Sequence, residues 1–532
     1  MRSRSFSNVV ITLSFLLLSL VGVGGLLYAL RWGPWVYSDS VAYILSAYNW
    51  ITGRGLGIFN PSGEFDPMMP PGYPWLIGAF LVLNLDPLHA ITVVNSLCFA
   101  LGLFLLGWGT WRLSGSWFWG WTTAMLVLLA PWVISNFDGA MSEPPYMLLT
   151  LLNLFLLAHY THSPRLEVGI AAALCAAGAG LMRTIGLVNL VVGVLVILVV
   201  HRRSQREAAI RASGYAIMAG MLPLVWLFRE TLPNRPFVWD SSLLTQANTF
   251  RQSVTRLSLQ WVPIFKMLPA SWLKSLALVT MGLLAGWGAG WAWKRARREG
   301  NPQPELAGGL TWWAIVTLYA LGYLLFLGLS YLFSSLTPDI DTRLLMPFFI
   351  ALAVVIPGGF FLAMRARSVA PHWEGLLAAL IFLSTLIYYL PTTVSYLSQR
   401  HTTGSGYSGL RWRDSETLRA AQDLPANLPL VSNQPIAVLF YTQRFPYEIT
   451  RLVQPDRAVL EQPFGNGMSE DELVFRTRCA ALILFEPEFS QQMRALYGDQ
   501  TARYQAIFTA GLRLYRRLDD GVIYFYPTCP TP

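Results

Sequence analysis

Ten ionisable side chains stand out in a chain that has few: Asp39, Arg54, Glu64, Asp66, Asp138, Glu143, Arg183, Asp339, Asp341 and Arg343. Each lies at or beyond the end of an apolar run, where a polar group near a bilayer is costly and is a functional candidate by default. Together these residue types can do acid–base and phosphate chemistry. A carboxylate takes a proton from an attacking group, and a guanidinium holds phosphate through paired hydrogen bonds. The ordinary readings stand beside these. Glu143, in MSEPPY, sits where a helix starts, and the helix dipole favours an acid there with Pro144 in the first turn. Asp138 has the same standing. Arg343 has acids close by at Asp339 and Asp341 and could pair with either as a surface salt bridge.

Long apolar segments must position these groups. The chain has 532 residues, 54% hydrophobic and 13% charged, about half the charge fraction of a soluble protein. Several runs of roughly 18 or more apolar residues make it an α-helical polytopic membrane protein. The first, residues 8–30, follows Arg2 and Arg4; it is long and has no A-x-A-like cleavage site after it, so it reads as a retained span. The further spans are 88–108, 116–134, 143–160, 167–182, 185–200, 209–229, 273–293, 309–333, 343–363 and 373–391, about eleven in all. The 167–200 region also reads as one re-entrant unit around Met182, Arg183 and Thr184.

The net charge of +9 falls largely in short connectors: Arg112, Arg165, HRRSQRE, KRARRE, Arg365 and Arg367. Cationic loops are retained in the cytoplasm, and with the N-terminus inside, all of these connectors fall on that side. Membrane topology therefore explains the charge, and nucleic acid is not an expected partner. The ten ionisable residues come together at the opposite, outer face. Outer loop 31–87 ends in PPGYPWLIGAF, whose prolines delay a helix until about Tyr73, giving an interfacial helix. Loop 230–272 mixes Trp239, Trp261 and Trp272 with Arg235, Arg251, Arg256 and Lys266, a composition suited to lipid headgroups.

Composition divides the chain into a transmembrane region, 1–391, and a polar tail, 392–532, expected to be a small extracytoplasmic α/β domain. In the tail LPLVSN, CAALILFEP and RLYRRLDDGVIYFYP read as strands with a hairpin at the DDG turn, alternating with helical SETLRAAQDL and SQQMRALYG. Cys479 and Cys529 lie in the tail and can pair there if it is outside the cytoplasm, whereas Cys98 and Cys175 lie in apolar spans.

The ordered set SDSVAYILSAYNWITGRGLG, PPGYPWLIGAF, FDGAMSEPPYMLLTLLNLFLLA, LMRTIGL and DTRLLMPFFIALAVV resembles the membrane-embedded glycosyltransferases of the GT-C fold. The likeness is to the dolichyl-phosphate-mannose protein mannosyltransferase-like and aminoarabinose-transferase-like group, over roughly residues 8–360. It implies an inverting glycosyltransferase that moves a sugar from a polyprenyl-phosphate carrier to an extracytoplasmic glycan, lipid or protein acceptor in the plasma membrane. It also implies that Asp39 is the catalytic or acceptor-orienting carboxylate, with Glu143 and Asp138 as further catalytic candidates. Arg183, Arg343 and Arg54 become the carrier-phosphate partners, and Glu64, Asp66 and Tyr43 join the substrate-binding set, Tyr43 against a sugar ring. Some relatives place a lysine before the Pro-Pro pair; here Met68 and Met69 precede Pro70 and Pro71, which shifts the phosphate role to arginines. No cofactor is required, and a divalent metal on Asp39, Glu64 and Asp66 stays an option because hard oxygen ligands suit one. The rival classes are a transporter or flippase, which would show repeats and spans broken near the midplane, and a non-catalytic assembly or sensor protein acting through its tail.

Overall fold

Apolar runs bounded by Ser, Asp and Pro form long helices in the computed structural model, which describes residues 2–59, 65–66, 69–231, 243–258, 271–298, 303–333, 340–449 and 470–530. The boundary residues cap the helices. Asp86 accepts from the Leu88 and His89 amides at 2.9 and 3.0 Å, Ser116 from Trp119 at 3.3 Å, and Asp341 from Leu344 at 2.9 Å. Each satisfies amides that the first helical turn leaves without a partner.

Among the described residues seven helices are long and apolar enough to cross a membrane: Asn8–Trp32, Pro87–Ser114, Gln205–Arg229, Trp272–Arg298, Pro304–Phe333, Thr342–Ala366 and Pro371–Thr403. An eighth is obtained if Trp117–Leu129 and Pro131–Phe137, bent by 69°, count as one. The expected eleven spans are not reproduced. The bend has a local cause: Ala130 precedes a proline and is extended, at φ −76° and ψ 111°. Leu166–Met182 and Thr184–Val200 are shorter apolar helices, each below the roughly 20 residues that a hydrocarbon core of about 30 Å requires. They meet at Arg183, extended at φ −150° and ψ 135°, so this stretch is a broken pair. Glu143–His162 forms a helix of 20 residues with a buried carboxylate at its head.

Two compact units divide the chain, one of Met1–Pro34, Ser46–Leu56 and Pro67–Thr402, the other of Trp35–Leu45, Gly57–Asp66 and Thr403–Pro532. In the first, a continuous apolar core runs between the long helices. Small residues let backbones approach closely, as membrane helix pairs favour. A Cβ on Gly288 would lie 2.6 Å from the Gly359 carbonyl oxygen, which locks helix Ser271–Arg298 against Thr342–Ala366. The helix expected after the prolines is present as Gly72–Val82. Gly72 packs at the helix break, where a Cβ would lie 2.8 Å from the Leu181 carbonyl carbon and oxygen.

The second unit carries two sheets. Strands β1 (Ile58–Phe59) and β2 (Phe65–Asp66) form a short antiparallel pair. The remaining strands are β3 (Leu430–Ser432), β4 (Tyr447–Glu448), β5 (Ala481–Phe485), β6 (Arg513–Leu518) and β7 (Gly521–Phe525), in the order β4-β3-β5-β7-β6. β3 is parallel to β4 and β5; β7 is antiparallel to β5 and to β6, and the β6–β7 hairpin turns at Asp519–Asp520. Fully buried β5 alternates between two cores, with Ala481, Ile483 and Phe485 on one face and Leu482 and Leu484 on the other. A strand covered on both sides reads as a continuous apolar run for this reason. Cys479 and Cys529 form a disulfide across 50 residues of sequence.

Candidate functional site

The first unit places one carboxylate between two guanidiniums. Glu143 heads helix Glu143–His162 and is 1% exposed. Arg183 at the helix break forms a direct ion pair with Glu143 Oε1, and Arg343 Nε lies 3.6 Å from the same oxygen. Arg343, in the first turn of helix Thr342–Ala366, also lies 3.5 Å from Asp341 Oδ2, while Asp341 caps that helix. Arg183 Nη1 donates to Ser142 Oγ at 3.5 Å, and Arg343 Nη1 approaches Met141 Sδ at 3.9 Å. The group is therefore assembled from three helix ends, two of them N-termini whose dipoles favour negative charge. Behind it a buried aromatic layer supports the junction: Tyr146 and Tyr319 share a hydrogen bond of 2.8 Å, and the Tyr323 hydroxyl donates to the Leu344 carbonyl at 2.5 Å.

Asp138, in the segment leading to Glu143, is buried in a separate network. Arg400 Nε donates to its Oδ2 at 2.6 Å and the Tyr396 hydroxyl at 2.7 Å, with the Asp138 and Arg400 side chains 0% and 3% exposed. Asn95 Nδ2 pins the same segment by donating to the Phe137 and Gly139 carbonyls at 2.9 and 2.7 Å. Buried charges persist only when paired in this way. Asp138 thus anchors the approach to Glu143. Arg400 and Tyr396, not singled out from sequence, sit near the end of helix Pro371–Thr403. The span expected there ended at 391, and an arginine nine residues further on read as tail. The sequence signal was the period: Thr393, Tyr396 and Arg400 are three and four apart, the spacing of one helical face.

The remaining expected site residues lie on other elements. Asp39 lies half-buried in the first turn of helix Ser38–Ile51, and Tyr43 on the same helix is 4% exposed; both belong to the second unit. Arg54 is exposed after that helix, where its amide donates to the Asn49 carbonyl at 2.8 Å. Asp66 lies in β2. Glu64, Asp339, Trp239 and Trp261 lie outside the described residues. Arg343 pairs with Asp341 as the ordinary reading expects, and with Glu143 in addition. Among the described residues no group of three or more His, Cys, Asp or Glu side chains is placed to hold a metal ion.

No protein-family model and no curated protein matches the sequence. Solved structures do. ArnT from Cupriavidus metallidurans bound to undecaprenyl phosphate superimposes with a TM-score of 0.52 at 13% identity, covering 96% of this chain and 97% of that one. Its apo state gives 0.51 at 14% over the same shares. The arabinosyltransferase EmbB from Mycobacterium smegmatis gives 0.37 at 16% over 73% of this chain and 41% of that one. Over nearly its whole length the chain has the GT-C fold.

Proposed function

We propose that the protein is an inverting glycosyltransferase that moves a sugar from a polyprenyl-phosphate carrier to an extracytoplasmic acceptor. The observation that carries this reading is the convergence of Arg183 and Arg343 on Glu143 at two helix N-termini, in a chain with the fold of ArnT, whose structure holds undecaprenyl phosphate. In such a transfer the acceptor oxygen attacks the anomeric carbon as the bond from that carbon to the phosphate oxygen breaks. The bonding pair leaves with the polyprenyl phosphate, and the acceptor proton passes to a carboxylate. Arg183 and Arg343 meet the growing phosphate charge. Glu143 orients Arg183. Arg343, 3.5 and 3.6 Å from two acids, brings the second guanidinium to the same junction, and a planar fork of N–H donors suits a phosphate. Asp39 is the candidate for the acceptor proton. No cofactor enters the reading, since guanidiniums supply the positive charge; a divalent metal on Asp39, Glu64 and Asp66 is the alternative that a chelator separates. The disulfide Cys479–Cys529 supports an oxidising, extracytoplasmic setting for the tail, and the apolar helices support a multi-pass plasma-membrane protein.

The test uses protein in lipid bilayers, a polyprenyl-phosphate-linked sugar and a hydroxyl acceptor. Arg343→Ala is expected to raise the donor KM by about tenfold or more, the worth of one charge-assisted hydrogen bond, and Asp39→Asn to lower kcat with donor KM little changed. Unchanged donor saturation in Arg343→Ala removes the phosphate assignment. Movement of intact donor between leaflets without cleavage of the sugar–phosphate bond means a flippase.

A further inference from the structure

The opposite ends of three long helices hold a second arginine site that the transfer reaction does not use. A groove of about 410 Å³ lies between helices Ser271–Arg298, Thr342–Ala366 and Pro371–Thr403. Leu284, Leu376, Leu380 and Trp373 line it and are exposed at 47% or more. At its mouth stands Arg367, the residue that ends helix Thr342–Ala366. Its guanidinium carbon lies 5.5 Å from the Trp287 ring centroid and 5.1 Å from that of Trp291, two rings one helical turn apart.

Stacking on indole uses the face of a guanidinium and leaves its in-plane N–H donors pointing outward. Among the described residues no acceptor engages those donors, and Arg367 is exposed. Two described acids of this end are occupied elsewhere: Arg365 lies 3.2 Å from Glu305 and 3.4 Å from Glu374, which also accepts from Ser116 Oγ at 3.0 Å. Lys294, Arg297 and Arg298 end the neighbouring helix and add positive charge. Another groove among the described residues, of about 240 Å³ between Trp117, Phe118, Trp121 and Phe382, has no charged lining residue. An apolar channel alone fits any acyl chain. One topped by a stacked, unengaged arginine at the end of the apolar spans fits a chain bearing a phosphate.

We propose that this groove binds an anionic phospholipid, with an acyl chain along Leu284, Leu376 and Leu380 and the headgroup phosphate on the in-plane donors of Arg367. The basic connectors assign this end to the cytoplasmic leaflet. The site is separate from Arg183 and Arg343 and does not depend on the transfer reading.

Native mass spectrometry of the detergent-purified full chain tests it, with phosphatidylglycerol and phosphatidylcholine of identical acyl chains as probes. Phosphatidylglycerol is expected to bind about fivefold more tightly, the worth of one arginine at a lipid surface, and Arg367→Gln to abolish that preference. The exposed connector variant Arg202→Gln is the control, and equal near-ultraviolet circular dichroism checks that all variants are folded. Full preference retained in Arg367→Gln overturns the site. Equal loss in Arg202→Gln also overturns it, because the attraction is then diffuse electrostatics.

Discussion

At the scale of single residues, buried charge is what the chain invests in around its candidate site. Asp138 and Arg400 are almost wholly enclosed, and enclosure removes the water that would screen a lone charge. Loss of one partner is therefore far more costly than loss of both. Asp138→Asn or Arg400→Met alone is expected to destabilise by about 3–5 kcal/mol, while the double variant recovers much of that. Thermal unfolding of all four forms in one detergent measures the cycle, and additive losses would show that the two side chains do not depend on each other. The same logic makes Glu143 more than a favourable charge in a first helical turn. Its removal leaves Arg183 and Arg343 facing each other without a carboxylate between them.

At the scale of elements, the site is a junction of helix ends, so its geometry depends on how closely those ends approach. Gly72 is a close approach between the Gly72–Val82 helix and the backbone of Leu181–Met182, just ahead of the break at Arg183. The atoms a Cβ would strike there are backbone, which cannot rotate aside. Gly72→Val is expected to cost about 1–3 kcal/mol of stability through overpacking. It is also expected to lower sugar transfer by moving Arg183, although residue 72 bears no chemistry. Unchanged melting temperature and turnover would mean that the break is free to shift. Ala130 before Pro131 bends a run, 116–134, that reads as one helix, and the extended Arg183 separates the two helices read as 167–182 and 185–200.

At the scale of the molecule, each unit is held by different forces. Helix packing through small residues and a shared apolar core holds the membrane unit. The tail unit has two smaller cores around one sheet, plus the Cys479–Cys529 disulfide. Closing a loop of that length stabilises by about 4 kcal/mol in the chain-entropy account. Cys479→Ser is thus expected to lower the unfolding temperature of the protein in detergent, and a reducing agent to do the same to the wild type but not to the variant. An equal effect of reductant on both would place the sensitivity elsewhere.

The sequence alone determined the elements whose cause is local. The long spans follow from runs of apolar residues, the helix start near Tyr73 from PPGYP, and the β6–β7 hairpin from DDG between apolar runs. It also marked Glu143, Arg183 and Arg343 as separate candidates, because charge beside apolar sequence is rare. That these three share one site was decided by tertiary structure, since residues 143, 183 and 343 are far apart in the chain and meet only when three helix ends pack together. Arg400 was missed for a related reason: an arginine beyond a span reads as solvated tail until a helix continues through it and buries it on Asp138. The bend between Leu129 and Pro131 belonged to the tertiary structure as well. Hydrophobicity reports what leaves water, whereas the packed backbone ahead of a proline decides whether a run such as 116–134 continues as one helix or bends into two.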